Sequence, residues 1–323
     1  MNGRNNATIT ELILLGFSND VKINICLFLS FSIIYAVTIF GNGLLMYVVF
    51  INPHLRTPMY FFLVNLSFVD LCNSSSAVPK LLIDLLSTYR NISLTACLFQ
   101  FKAIVFIGTT ECNLLAVMAY DRYVAICRPL HYPVVMRWSV CYQLTAFVWF
   151  FSFTTSVMPS FALPLLLCYP NQVNHFMCEI LALLKVSCDD TRIKEIVIFS
   201  LSLITIFPPF VFIVTSYICI IRSILKIQSA QRSKAFSTCS SHILVVALYF
   251  GTGIITYFGK SDKDSENREK YASVFYVVIT PMLNPLIYSI NNREVKRTKV
   301  LMKKNLIAKE VNPNDPIHHF QVF

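Results

Sequence analysis

From Trp138 to Cys178 the chain carries no Asp, Glu, Lys or Arg, and the same is true of Ile23–Pro53, Ile196–Ile221, Ala235–Gly259 and Tyr271–Asn292. A helix that crosses a bilayer needs roughly 20 mostly apolar residues. Each run is long enough, and the Trp138–Cys178 run must include a loop as well. Two further stretches are apolar but punctuated. Pro58–Leu86 holds Asp70, Lys80 and Asp84, and Cys97–Cys127 holds Lys102, Glu111, Asp121 and Arg122. The expectation is an all-α membrane protein, a seven-transmembrane helix bundle over residues 24–290. The spans fall at approximately 24–50, 58–86, 97–127, 139–166, 195–226, 233–259 and 271–290, with a tail at 1–23 before them and another at 291–323 after them. With 55% hydrophobic and 14% charged residues, the chain is outside the range of a water-soluble domain, about 45–50% apolar and about 25% charged. A closed β-barrel would show short alternating segments instead of such runs.

Charge orients the bundle. With the N-terminus outside, the cytoplasmic side holds Arg56, Arg128, Arg137, Arg222, Lys226, Arg232, Lys234 and seven more bases from Arg293 to Lys309, against Glu294, Glu310 and Asp315. The outer side carries ten bases and ten acids. The positive-inside rule therefore predicts N-terminus outside and C-terminus inside, in a multi-pass protein of the plasma membrane. The basic excess belongs to a bilayer surface, and no nucleic acid is expected as a partner. Sequons at Asn6 and Asn91 lie in segments placed outside and are the expected glycosylation sites. After the last span, Asn291–Lys304 reads as a short basic amphipathic eighth helix lying on the membrane.

Eleven cysteines are present, and four of them, Cys97, Cys168, Cys178 and Cys188, fall outside. They suggest two disulfides with three possible connectivities. One bond should pin the long loop 167–194 to the bundle and the other should close that loop on itself. No Cys/His spacing resembles a metal site.

Charges inside a membrane mark function, and the sequence around them is distinctive. Leu55-Arg56-Thr57-Pro58-Met59-Tyr60 leads into Leu66-Ser67-Phe68-Val69-Asp70. Met118-Ala119-Tyr120-Asp121-Arg122-Tyr123-Val124-Ala125-Ile126-Cys127 closes the third span. Ser216-Tyr217 lies in the fifth, Lys234-Ala235-Phe236-Ser237-Thr238-Cys239-Ser240-Ser241-His242 opens the sixth, and Pro281-Met282-Leu283-Asn284-Pro285-Leu286-Ile287-Tyr288-Ser289 ends the seventh. This ordered set resembles the olfactory receptors, a branch of the rhodopsin-like G-protein-coupled receptors, over roughly residues 10–305. Two positions depart from the usual pattern. Arg56 replaces a His, and Tyr249-Phe250-Gly251 swaps the two aromatics, which is expected to leave the pocket floor without its hydroxyl.

The resemblance implies a receptor for small volatile organic ligands that couples to a stimulatory, olfactory-type heterotrimeric G protein and raises cAMP, with no catalytic residues. Coupling and activation are assigned to Asp121, Arg122, Tyr123, Tyr217, Asn284, Pro285 and Tyr288. Asp121 would pair with Arg122 at rest, and release would turn the planar donors of Arg122 towards Tyr217. The disulfide pairing expected is Cys97–Cys178 and Cys168–Cys188. The ligand pocket would take Ile104, Val105, Gly108, Thr109 and Cys112 from one face of the third span. By the same resemblance it would add Leu201, Ser202, Thr205 and Ile206 from the fifth, Gly253, Ile254 and Tyr257 from the sixth, Val274 and Val277 from the seventh, and Ile180 from the lid. That set is mostly apolar and suits neutral organics. Lys102 is read as sitting a turn nearer the outside and snorkelling.

Asp70 and Glu111 lie mid-span. Two buried carboxylates must pair, protonate or hold a cation. With Asn42, Ser67 and Asn284 they resemble a polar core that binds sodium, so a sodium ion is the one modulator expected; no cofactor is. Rival classes fit less well. An intramembrane protease would need Gly-rich motifs that are absent, a transporter would show internal repeats, and an opsin would need a lysine in the seventh span.

Overall fold

The computed structural model describes residues 10–162, 166–167, 169–188, 190–226, 229–258 and 265–290. Seven long helices form a bundle: α1 (Val21–Ile51), α2 (Pro58–Leu86), α3 (Leu94–Cys127), α4 (Trp138–Ser156), α5 (Arg192–Leu225), α6 (Ser229–Phe258) and α7, which is three consecutive pieces, Ser265–Val274, a π-helical turn Phe275–Ile279 and Thr280–Ile290. The eighth helix expected in 291–323, the sequon Asn6 and the loop cysteine Cys168 lie outside the described residues.

Among the described residues, α1, α2, α3, α5 and Asn267–Tyr288 within α7 are each long and apolar enough to cross a membrane. α4 qualifies together with Pro129–Val135, from which it bends by 69°, and in α6 the apolar part is Cys239–Ile254. Helix starts follow local chemistry. The Asp20 carboxylate accepts from the N–H groups of Lys22 and Ile23 and caps α1, Pro58 opens α2, and Ser93 caps α3 through the N–H of Ala96. The charges that punctuate α2 are partly self-compensating, because Lys80 and Asp84, one turn apart, form an ion pair.

The all-helical expectation needs one addition, because residues 11–14 are not a loose tail. Strand β1 (Glu11–Leu14) lies between β2 (Asn91–Ser93), antiparallel, and β3 (Gln172–Val173), parallel. Alternation in Glu11-Leu12-Ile13-Leu14 turns Leu12 and Leu14 inward, where they pack with Ile92, Val173, Cys97, Cys178 and Leu183. Arg90 donates to the carbonyls of Leu15 and Ser18, and Lys270 of α7 donates to the carbonyl of Gly16, the one described residue with a left-handed backbone. The N-terminal segment is thereby fastened both to the α2–α3 connection and to α7.

Prolines organise the helix contacts. In an α-helix the N–H of residue i bonds the carbonyl of i−4, so Pro281 and Pro285 orphan the carbonyls of Val277 and Pro281. The Ser74 hydroxyl of α2 donates to Val277 (3.1 Å) and the Asn42 amide of α1 donates to Pro281 (2.9 Å). Asn73 also donates to Tyr276 in the π turn (3.0 Å). A Cβ on Gly41 would come within 3.0 Å of the Pro285 ring, so α1 and α7 approach this closely because position 41 has no side chain. Pro209 likewise orphans the carbonyl of Thr205 in α5, which the Cys112 thiol of α3 approaches at 3.9 Å.

Candidate functional site

The loop between α4 and α5 folds back over one end of the bundle. The Cys97–Cys178 disulfide ties it to the start of α3, with Cα atoms 5.4 Å apart. Gln100 reinforces the tie. Its amide donates to the Ser76 carbonyl of α2 and its oxygen accepts from the N–H of Cys178. Cys188 is also disulfide-bonded. The loop closes near it, since the Cys188 N–H donates to Leu166 at 2.8 Å. A short lid helix, Ile180–Leu184, follows Cys178 and is capped by Glu179, whose Oε2 accepts from the N–H groups of Leu181 and Ala182. The other Glu179 oxygen is buried without a partner among the described residues. Burial first, opposed by the capping N–H groups and assisted by Glu269, pushes this carboxyl up to about 7. His175, stacked on Phe176 at 4.8 Å, is pushed down to about 3 by burial and by the Lys270 ammonium.

Beneath the lid is a cavity of about 320 Å³ between α3, α4 and α5. Six of the residues expected in the pocket line it: Val105, Thr109, Leu201, Ser202, Thr205 and Ile180. The others do not. Val105 and Ile104 are successive, so they point about 100° apart on the helix, and Ile104 joins Val277 in a core with Phe31, Ala77 and Phe176, against which Val274 also packs. Cys112 is in the core below, and Ile206 packs against that core. Ile254 is exposed, Gly253 does not line this cavity, and the Tyr257 side chain lies outside the described residues. The Gly108 carbonyl accepts from the Tyr249 hydroxyl. The aromatic swap therefore does not remove the hydroxyl but moves it one residue earlier, while Phe250 packs on Phe210 at 5.2 Å.

The cavity is also lined by residues outside the expected set. Lys102 and Lys194 both line it, alongside Thr155 and Ser156 at the end of α4 and Phe161 in the helix Met158–Ala162. The Lys102 ammonium sits 3.9 Å from the Phe161 ring centroid, so it does not extend clear of the pocket wall. The available signal was the presence of a lysine in an otherwise apolar stretch of α3.

At the opposite end, the expected Asp121–Arg122 pair is not made. Neighbours in sequence do not face each other on a helix. Asp121, buried, accepts instead from the Tyr132 hydroxyl at 2.8 Å, from the short helix Tyr132–Val135. Arg122 makes no ion pair among the described residues. It is the electrostatic neighbour of Tyr217, His242 and Tyr288. The Tyr217 hydroxyl bonds His242 Nδ1 at 2.7 Å, with the rings stacked 5.6 Å apart. The Tyr288 hydroxyl is buried without a partner among the described residues. Arg128 lies over the Tyr123 ring at 6.0 Å.

Midway along the bundle, the Asn284 amide donates to both oxygens of Asp70, at 3.0 and 2.9 Å. Glu111 is fully buried and both of its oxygens lack a donor, as do Asn42 Oδ1 and Asn284 Oδ1. An excess of oxygen acceptors over donors fits a proton or a hard monovalent cation. No group of three or more His, Cys, Asp and Glu placed to hold a metal occurs among the described residues.

A helical bundle with a disulfide-tied lid at one end and an Asp-Arg-Tyr triplet at the other has the rhodopsin-like fold. Squid rhodopsin superposes with a TM-score of 0.66 over 90% of this chain and 88% of its own, at 19% identity. The family is narrower. The olfactory receptor family model matches residues 31–307. Mouse olfactory receptor 2B6 is 46% identical over 96% of this chain and all of its own length, and human olfactory receptor 2B2 is 44% identical over 96% of this chain and 88% of its own. The chain belongs to the olfactory receptor family of G-protein-coupled receptors, multi-pass membrane proteins that are not enzymes.

Proposed function

We propose that this chain is an odorant receptor. Small, mostly apolar organic molecules bind beneath the lid between α3, α4 and α5, and binding activates a stimulatory heterotrimeric G protein that raises cAMP. The observation that carries this reading is the lidded cavity of about 320 Å³, at the lower end of the range for small-molecule pockets, in a member of this family. The lid faces outside and the Arg122 end faces the cytoplasm, as the positive-inside count supports, in the plasma membrane where an odorant receptor would meet its ligand. Asn91, exposed in β2 with its side-chain amide donating to Glu11, is on the outer side and is the proposed glycosylation site.

Ligand contacts on α3 and α5 reach the coupling end through the same two helices. Thr205 lines the cavity and its carbonyl meets the Cys112 thiol in the core below. Further along these helices are Arg122 and Tyr217. A rigid-body shift of α5 against α3, eased by Pro208 and Pro209, would move Tyr217 relative to His242 and Arg122. Sodium, when bound, would neutralise charge beside Asp70 and Glu111, with Asn42, Ser67 and Asn284 near, and so favour the resting arrangement.

The test is odorant-evoked cAMP in cells carrying a stimulatory G protein, with surface antibody staining of the same cells. The reading predicts concentration-dependent cAMP from at least one odorant class. Full surface expression with no response across a broad panel would refute it.

A further inference from the structure

The lining of the cavity favours one charge of ligand. We propose that it takes an organic anion, a straight-chain carboxylate whose carboxyl group meets Lys102 and whose alkyl chain runs towards Leu201 and Thr205. This rests on the odorant-receptor reading above and adds the ligand class. Three observations support it.

First, two ammonium groups, Lys102 and Lys194, line the cavity, and no Asp or Glu does. Among the described residues Lys102 makes no hydrogen bond or ion pair. Its one described contact is the face of Phe161 at 3.9 Å. A ring face attracts a cation weakly and accepts no full set of N–H bonds, so the donors of Lys102 remain to be matched.

Second, of the five hydroxyl protons that line the cavity, all but that of Ser202 are already committed. Thr109 donates to Val105, Thr205 to Leu201, Thr155 to Phe151 and Ser156 to Ser152, each on its own helix. These oxygens can accept a further bond but have no proton left to give. The hydrogen-bond donors facing the ligand are therefore dominated by lysine. A donor-rich, cationic end matches a group that only accepts and carries negative charge. An alcohol or ester would leave the ammonium uncompensated.

Third, position fits an amphipathic ligand. Lys102 is five residues beyond the disulfide-bonded Cys97, at the lid end of α3, and Val105, Leu201 and Ile198 supply an apolar wall deeper in the bundle. The ligand would enter chain first, with its charge stopping under the lid.

The experiment uses the full-length receptor in cells with a stimulatory G protein and surface staining. Dose–response curves are recorded for a homologous series of straight-chain alkanoic acids, and for the matched primary alcohols and methyl esters. The same curves are recorded for Lys102→Met, Lys102→Arg and Lys194→Met. We expect the acids to be more potent than their matched esters by about tenfold or more, the size of one charge-assisted bond. Lys102→Met should remove that preference while leaving ester responses in place, and Lys102→Arg should retain it. Because Met is close to Lys in length and suits an apolar helix, surface staining should stay near wild type. Equal potency of acids and esters in the wild type, or equal loss of both in Lys102→Met, would overturn the assignment of charge. A response to neutral odorants alone would overturn this inference and leave the receptor reading intact, whereas silence to every class would remove both.

Discussion

The hydroxyl of Tyr217 on α5 is 2.7 Å from Nδ1 of His242 on α6, and both groups are buried beside Arg122. Among the described residues the Tyr217 hydroxyl is held by His242 and makes no hydrogen bond to Arg122. The structure is thus an arrangement in which the Tyr217 hydroxyl bonds His242 and not Arg122, and the His242 bond is one that activation would have to release or redirect. A buried hydrogen bond of this kind contributes about 0.5–1.5 kcal/mol. His242→Phe keeps an aromatic ring against Tyr217 but removes the bond, so it should raise ligand-free cAMP by about two- to tenfold. Tyr217→Phe removes the hydroxyl that His242 and Arg122 would each use and should lower odorant-evoked cAMP instead. Basal and evoked cAMP per surface receptor, measured side by side, check the pair. Identical behaviour of the two variants would count against a latch.

Arg122 is the next test. Its side chain has no ion-pair partner among the described residues, so its removal breaks no static salt bridge. Arg122→Ala should therefore leave surface expression largely intact and abolish evoked cAMP. Arg122→Lys should also be impaired, because an ammonium lacks the planar fork of donors. Normal cAMP per surface receptor in the alanine variant would exclude a coupling role for Arg122.

The buried acids give a third expectation. Glu111 presents two oxygens with no donor, next to an Asp70 already satisfied by Asn284. If a cation is held there in the resting arrangement, replacing sodium by a large organic cation should raise agonist potency, and Glu111→Gln should flatten that dependence by supplying its own donor. Dose–response curves in the two media, for both proteins, decide the matter. Curves that coincide in wild type would show that a proton, not sodium, satisfies the carboxyl.

Much of this architecture was legible in the chain. Uncharged runs place the helices because a bilayer tolerates no unpaired backbone and little charge. Even the proline repairs follow from sequence spacing, since a proline at i orphans the carbonyl at i−4, although which side chain answers, Ser74 or Asn42, depends on the approach of a different helix. The pocket was less legible. Val105 and Ile104 are equally apolar, and only the rotation of α3 decides that one faces the cavity and the other faces Phe31. Lys102 was read as snorkelling because the sequence does not show that Phe161 sits under its ammonium. Asp121 was assigned to its neighbour Arg122, but its partner, Tyr132, comes from beyond the end of α3. The strand pairing of Leu12 and Leu14 is a long-range contact with no periodic signal of its own beyond four residues.

The lid provides the final prediction, through two buried groups that titrate in opposite senses. Glu179 is raised from about 4.5 to about 7, so the folded lid holds a proton that the unfolded segment releases. Stability from Glu179 is full below about pH 4.5 and is lost as pH rises towards 7, by about 3 kcal/mol in total. His175 is lowered from about 6.5 to about 3, so the unfolded segment binds the extra proton. Its contribution is full above pH 6.5 and is lost as pH falls towards 3. Between pH 4.5 and 6.5 the two slopes oppose each other, and the wild-type lid should show little pH dependence there. Glu179→Gln keeps an oxygen to cap Leu181 and Ala182 but removes the titration, so its thermal stability should rise with pH across that window. His175→Phe should do the reverse, falling as pH rises from 4.5 to 7. Melting temperatures of the purified receptor in nanodiscs, at half-unit steps from pH 4.5 to 7.5, measure both slopes. Parallel profiles for wild type and the two variants would show that neither group changes its proton affinity when the lid folds.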